Sequence, residues 1–223
     1  MPHFDDVEPL HEALLCCLPD TISGAVNLIG ERAAFDFPDE ATLREKAGPG
    51  RKQEFITGRR CARAALAQLG QAAGAILADE QGAPLWPKDF VGSISHSKGF
   101  CAAIVAGSEH FRALGLDLEQ TNRLRPSAHK HVVHPREMLF VDEEQVRATL
   151  LFSLKEAFYK LQFPLFAAQP GFQDVHFEVD LSGGSAAIAG ITETFSESLQ
   201  EAVAEMRFAF AFTEVQVVTV AML

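Results

Sequence analysis

The chain has 223 residues, 48% hydrophobic and 22% charged, a composition typical of a globular protein with material for one large core or two small ones. Its net charge of −11 argues against a general nucleic-acid binder, and no run of about 18 apolar residues offers a membrane-crossing helix. The acidic start, Met1-Pro2-His3-Phe4-Asp5-Asp6, is unlike a secretory signal, so the expected compartment is the cytoplasm.

Residues 10–18 form a short, mainly apolar segment ending at Pro19 and carry no decisive pattern. Ala25–Ile29 and Ala33–Phe37 are strand-like, and Pro38-Asp39-Glu40 turns into a helix. From Lys52 to Leu69 the period is helical, with Phe55, Ala62, Leu66 and Leu69 on one stripe. Lys52, Arg59 and Arg63 form a basic stripe beside it. Such a stripe is either a solvated flank or, in a chain otherwise acidic, a site for a phosphorylated ligand. Gly70 ends the helix, and Gln81–Pro87 is a turn-rich connection holding the only tryptophan.

Val91–His96 and Cys101–Ala106 are expected to be strands around the turn Ser97-Lys98-Gly99. The cluster Ser95-His96-Ser97-Lys98-Gly99 is rich in hydrogen-bond donors and suits an anion. The four cysteines, Cys16, Cys17, Cys61 and Cys101, form no C-x-x-C pair and are expected to be small buried thiols.

Leu114 to Glu119 alternates with period two, so Asp117 and Glu119 project from one strand face with Gly115. Two neighbouring carboxylates repel unless solvated, protonated or neutralised by a hard cation. Gln120 to Pro135 is polar and is expected to be a mobile surface segment. His129, His131 and His134 have spacing that could hold a transition metal, but no cysteine or second cluster supports one. A helix is expected from Asp142 to Leu161, with Leu151, Leu154, Phe158 and Leu161 facing the core. Thr149, Ser153, Glu156 and Lys160 line its other side. Strand patterns at 175–180, 186–191, 208–212 and 215–220 complete the chain.

The acidic strand face and the polar helix face together supply three carboxylates and a lysine. With the basic stripe and the Ser-His turn they suit Mg²⁺ and a diphosphate. Here the residues resemble a known family. Gly115-x-Asp117-x-Glu119, followed by Phe152-Ser153-x-Lys155-Glu156-Ala157-x-x-Lys160, is similar to the paired signature of the 4′-phosphopantetheinyl transferases. Phe55-x-x-Gly58-Arg59-x-x-x-Arg63, Gly82-x-Pro84-x-Trp86-Pro87 and Ser93-Ile94-Ser95-His96-Ser97 look like its upstream blocks, in the same order. Phe152, where many members have Trp, resembles the enterobactin-synthase component D and Sfp-type branch. Some members carry a basic residue where Ala83 stands.

The resemblance implies an α+β, pseudo-twofold fold of two similar α/β halves in one chain. Residues 1–112 would contribute coenzyme A phosphate contacts, and residues 113–223 the metal-binding carboxylates and the catalytic helix. It implies that Asp117, Glu119 and Glu156 hold Mg²⁺ and that Lys160 contacts the diphosphate. Ser95 and His96, with Arg59, Arg63 and Lys155, would bind coenzyme A phosphates. Glu156, or Glu137 as an auxiliary, would take the acceptor proton. The implied activity moves 4′-phosphopantetheine from coenzyme A to a serine of an apo acyl or peptidyl carrier protein, releasing 3′,5′-ADP. Two halves in one chain imply a monomer. A metal-dependent phosphohydrolase and a non-catalytic coenzyme A-binding module stay open as alternatives.

Overall fold

Two long helices and two antiparallel sheets organise the chain, which a computed structural model describes for residues 7–30 and 33–223. The acidic start Met1–Asp6 lies outside the described residues. In order come α1 (Val7–Cys16), β1 (Ile22–Leu28), α2 (Pro38–Leu43), α3 (Pro49–Gln68) and the hairpin β2 (Phe90–Ser97) and β3 (Phe100–Gly107). There follow β4 (Leu114–Gln120), α4 (Pro126–Val132), α5 (Met138–Val141), α6 (Gln145–Phe166), β5 (Val175–Asp180) and β6 (Ser185–Ile191). α7 (Glu197–Ala202), β7 (Arg207–Phe212) and β8 (Gln216–Met222) close the chain.

The two parts share a plan, as an α+β protein of two similar halves requires. In each, the first strand leads across a long helix to a last strand laid antiparallel beside it: β3 against β1, β8 against β4. The first sheet has the order β1-β3-β2. The second, β4-β8-β7-β6-β5, is larger by the hairpin β5–β6. β3 is buried on both faces. Its odd residues, Cys101, Ala103 and Val105, meet Cys61, Ala62, Ala65 and Leu66 of α3. Its even residues, Phe100, Ala102 and Ile104, join Leu114, Leu116 and Leu118 of β4 in a core that also takes Leu10 and Leu14 of α1. On the other face of the second sheet, Leu150, Leu151, Leu154, Phe158 and Leu161 of α6 pack with Phe208 and Phe210. The apolar side of α6 is thus the one its period predicts.

Three segments differ from the sequence expectation. Ala33–Phe37 is not a strand, because side chains of α3 bind its backbone in place of a ladder. Gln53 bonds Ala33 N–H and C=O, and Arg60 bonds the Ala34 carbonyl. Residues 126–132 are ordered as α4, started by Pro126 and anchored by buried His129 and Val132, where a mobile segment is expected. The apolar stretch near the start is α1, whose Leu10 and Leu14 sit one turn apart in the core between the sheets. Cys17, Cys61 and Cys101 are buried and reduced as expected, while Cys16 is exposed. Burial pushes the Cys17 and Cys61 thiols up to about 12, so neither is poised as a nucleophile.

Candidate active site

β2 and β4 are both edge strands, and they lie against each other without a backbone ladder. An exposed edge leaves N–H and C=O groups unpaired, and here side chains take them up. The alternating serines of Ser93-Ile94-Ser95-His96-Ser97 face β4 at every second position. Ser93 Oγ accepts from Leu116 N–H at 3.0 Å, Ser95 Oγ meets Asp117 Oδ1 at 3.3 Å, and Ser97 Oγ meets Glu119 Oε2 at 3.4 Å. The serine spacing thereby joins the two halves along the strand that carries the carboxylates.

Asp117 is the node of this seam and is nearly buried, at 3% exposure. Lys160 Nζ donates to its Oδ1 at 2.8 Å, and Ser153 Oγ donates to its Oδ2 at 2.8 Å. The same ammonium reaches Ser95 Oγ at 3.0 Å and the Leu116 carbonyl at 2.9 Å. Glu119 faces the same side, 3.6 Å from Arg123 Nε. Burial first, then the Asp117 charge, raise Glu119 to about 7, and the same two causes raise Glu156. The polar side of α6 is therefore a buried lining rather than a solvated flank: Thr149 and Ser153 are fully enclosed. Gly115 lets this helix approach. A Cβ there would stand 2.1 Å from the Ala157 carbonyl. The room it leaves is filled by the backbone of α6.

His96, opposite in pleat to Ser95, turns to the α3 side. Its Nε2 meets Arg51 Nη1 and lies 3.7 Å from Glu54 Oε2. Burial lowers the pKa of His96; Glu54 opposes this, and Arg51 and Lys160 add to the lowering. Arg51, absent from the sequence-based site, is the arginine beside the Ser-His turn. Its signal is the i,i+3 spacing with Glu54 on the side of α3 that meets β2.

The structure does not bring Arg59 and Arg63 to this turn. Arg59 is buried, bonds the Ile76 and Leu77 carbonyls at 2.7 and 3.2 Å, and lies over the Phe55 ring. Arg63 holds Glu40 and Asp36, both at 2.6 Å. Hydrogen bonds from Arg60 and then Arg63 hold Asp36 down to about 2. These guanidinium groups fasten residues 33–40 and 76–77 to α3. A buried arginine bordering the core has its donors consumed by whatever covers it.

Lys155 and Glu137 form a second pair on the far side of α6, 2.7 Å apart and 2% and 1% exposed. Lys155 also donates to the Val132 carbonyl. Glu137 accepts from Lys155, His134 N–H and Phe177 N–H, all within 2.8 Å. Neither touches the Asp117 cluster. His134 stacks on His176 with ring centroids 4.6 Å apart, and buried His129 belongs to α4, so the three histidines do not converge.

Two cavities flank the seam. One of about 960 Å³ is bordered by Ser97, Lys98, Glu119, Arg123 and Arg125. The other, about 220 Å³, lies against Glu156 and is walled by Lys155, Phe158, Tyr159, Phe172 and Val175. The donor set suits a hard divalent cation. Three carboxylates share one region, two have raised pKa values, and Thr219, across the ladder from Asp117, buries a hydroxyl without a partner. Among the described residues, no three acidic, histidine or cysteine side chains already stand together as metal ligands.

The comparisons with known proteins agree on one family. The 4′-phosphopantetheinyl transferase N-terminal domain matches residues 39–106, and the 4′-phosphopantetheinyl transferase superfamily matches residues 113–213. The 4′-phosphopantetheinyl transferase Npt of Nocardia iowensis is 40% identical over 152 residues, 67% of this chain and 68% of that protein. PptT of Mycobacterium tuberculosis is 38% identical over 152 residues, 66% and 67% of the two chains. Svp of Streptomyces mobaraensis is 37% identical over 155 residues, 67% and 63%.

Proposed function

The chain belongs to the 4′-phosphopantetheinyl transferase superfamily, and from that premise we propose how its seam performs the transfer. Coenzyme A is the donor and a serine hydroxyl of an apo carrier protein the acceptor. The serine oxygen bonds to the phosphorus that bears pantetheine, the bond from that phosphorus to the bridging oxygen breaks, and 3′,5′-ADP leaves. The observation that carries this reading is that Ser95 touches Asp117 and Lys160 at once, so a donor-rich turn of one half abuts the acidic strand of the other.

Asp117, Glu119 and Glu156 would hold Mg²⁺. When bound there, it supplies positive charge to the diphosphate oxygens. Lys160 contributes a positive charge at the same place, and Ser95, His96 and Arg51 donate to the phosphates. The serine proton goes to Glu156, whose carboxylate lies beside the pocket at the seam. Glu137 is enclosed with both carboxylate oxygens bonded, so we give it and Lys155 a structural part. The narrow aromatic-walled pocket beside Glu156 suits the pantetheine arm. The carrier, acidic around its serine, would dock on local charge rather than on the net charge of the chain. Arg123, Arg125, Lys130 and Arg136, with Met138 and Leu139 exposed on α5 beside them, form such a patch. Both walls of the seam come from one chain, so a monomer suffices.

Incubating the protein with coenzyme A, Mg²⁺ and an apo carrier protein, then weighing the carrier, tests this reading. A phosphopantetheine mass gain is expected, and its loss on Glu156→Ala. Coenzyme A cleavage with an unchanged carrier would make the protein a hydrolase; binding with neither would make it a coenzyme A-binding module. Near-normal transfer by Glu156→Ala would remove the metal assignment.

A further inference from the structure

An ammonium has three N–H donors, and Lys160 spends all of them inside the protein: on Ser95 Oγ, on the Leu116 carbonyl and on Asp117 Oδ1, at 2.8 to 3.0 Å. Asp117 is committed in the same way. Its Oδ1 accepts from Lys160 and Ser95 and its Oδ2 from Ser153, which leaves one of its four lone-pair positions open. A cation ligated through Asp117 therefore competes with Lys160 for the same carboxylate, and Lys160 cannot reach a diphosphate without giving up a bond it already has. Other charges frame the contest. Arg123 faces Glu119, and Lys160 is the more exposed partner of its pair, at 27% against 5% for Asp117.

We propose that Lys160 is an exchangeable counter-ion. It neutralises Asp117 and keeps the carboxylates from closing on one point until a divalent cation takes over that charge. The freed ammonium then turns to the diphosphate of coenzyme A. Three features favour exchange over a fixed bridge. Two of the three acceptors, Ser95 and the Leu116 carbonyl, keep the lysine at the seam when the Asp117 bond breaks. The lysine side chain is 27% exposed, so its three acceptors do not seal it from the surface. Ser153, fully buried on the same helix, holds Asp117 in place through the other oxygen, so the carboxylate does not follow the lysine. Cation and coenzyme A binding become mutually reinforcing, since each relieves the charge that the other leaves unbalanced, and by linkage the effect is the same in both directions. This inference rests on the reading that Asp117, Glu119 and Glu156 form the cation site.

The test is Mn²⁺ binding to the purified protein, followed by the electron paramagnetic resonance signal of free Mn²⁺, without carrier protein and with or without coenzyme A. Lys160→Met should bind Mn²⁺ alone at least tenfold tighter than wild type. The tightening that coenzyme A produces, tenfold or more in wild type, should shrink to threefold or less. Lys160→Gln, which keeps two donors for Ser95 and Leu116 but no charge, should behave in the same way and covers the case in which the methionine variant folds poorly. Unchanged or weaker Mn²⁺ binding by folded Lys160→Gln, with Asp117→Asn abolishing binding in the wild-type background, would overturn the exchange while leaving the cation site standing. Mn²⁺ binding that is absent throughout, or indifferent to Asp117→Asn, would overturn both.

Discussion

Helix α6 carries two lysine–carboxylate pairs that are alike in distance and unlike in everything else. Lys155–Glu137 is 2.7 Å long and Lys160–Asp117 is 2.8 Å. The first is sealed, with backbone N–H groups of His134 and Phe177 and the Val132 carbonyl completing its hydrogen bonds. Removing either member strands a charge in the core, so the pair fastens α6 to the segment before it and to the edge strand β5. The second is open on one side and has Glu119 and Glu156 as further acids, so its lysine has somewhere to go. Five residues along a helix turn a side chain about 140° away, enough to separate a fastener from a working group.

This contrast sets the order of the expected effects. Lys155→Met should be the most damaging to the fold, at about 3–5 kcal/mol, because Glu137 is left buried without its partner. Urea unfolding measures it, and a variant as stable as wild type would erase the distinction between the pairs. Gly115→Ala comes next, at about 1–3 kcal/mol, since the new methyl group forces α6 off β4. Its melting point and its turnover should fall together, as the carboxylates and Glu156 lose their spacing.

Lys160→Met should reverse the pattern. Its stability should fall by less than that of Lys155→Met, because Ser95 and Ser153 still donate to Asp117, while turnover drops on the order of a hundredfold. Thermal melts alongside a carrier-mass assay separate the two. The last effect is a drift with pH. Glu119 has a pKa of about 7 in the fold against an ordinary 4.5, so its ionised form is disfavoured in the folded state. Its contribution is fully present below about pH 4.5 and is lost as pH rises through about 7. Melts from pH 5 to 8 should decline, and saturating Mg²⁺ should flatten the decline. A decline unaffected by Mg²⁺ would assign it to another group.

Much of the fold was legible from period alone. The two long helices, the strand carrying Asp117 and Glu119 and the hairpin around Lys98-Gly99 stand where their patterns put them. The turn is tight because both central residues take positive φ, 38° at Lys98 and 95° at Gly99, a two-residue turn that twists with its strands. Short helices such as α4 and α7 were not foreseen. At six or seven residues they show too little of a helical period and owe their stability to burying His129, Val132, Leu199 and Ala202.

Asp117, Glu119, Glu156, Ser95 and Lys160 stand out by period and motif, and the structure brings them to one seam, while His96 turns from it to Arg51 on α3. The sequence by itself determined which residues carry charge and which side of each element they occupy, because strand and helix periods are local properties of the chain. It could not determine which of those charges are already spent. Arg59, Arg63 and Lys155 look on a helical wheel as available as Arg51 and Lys160. Only the tertiary structure encloses the first three among carbonyls and carboxylates and leaves the other two partly exposed at the junction of the sheets. A partner drawn from 17 to 40 residues away is invisible to any local pattern, and burial among such partners separates a fastener from a working group.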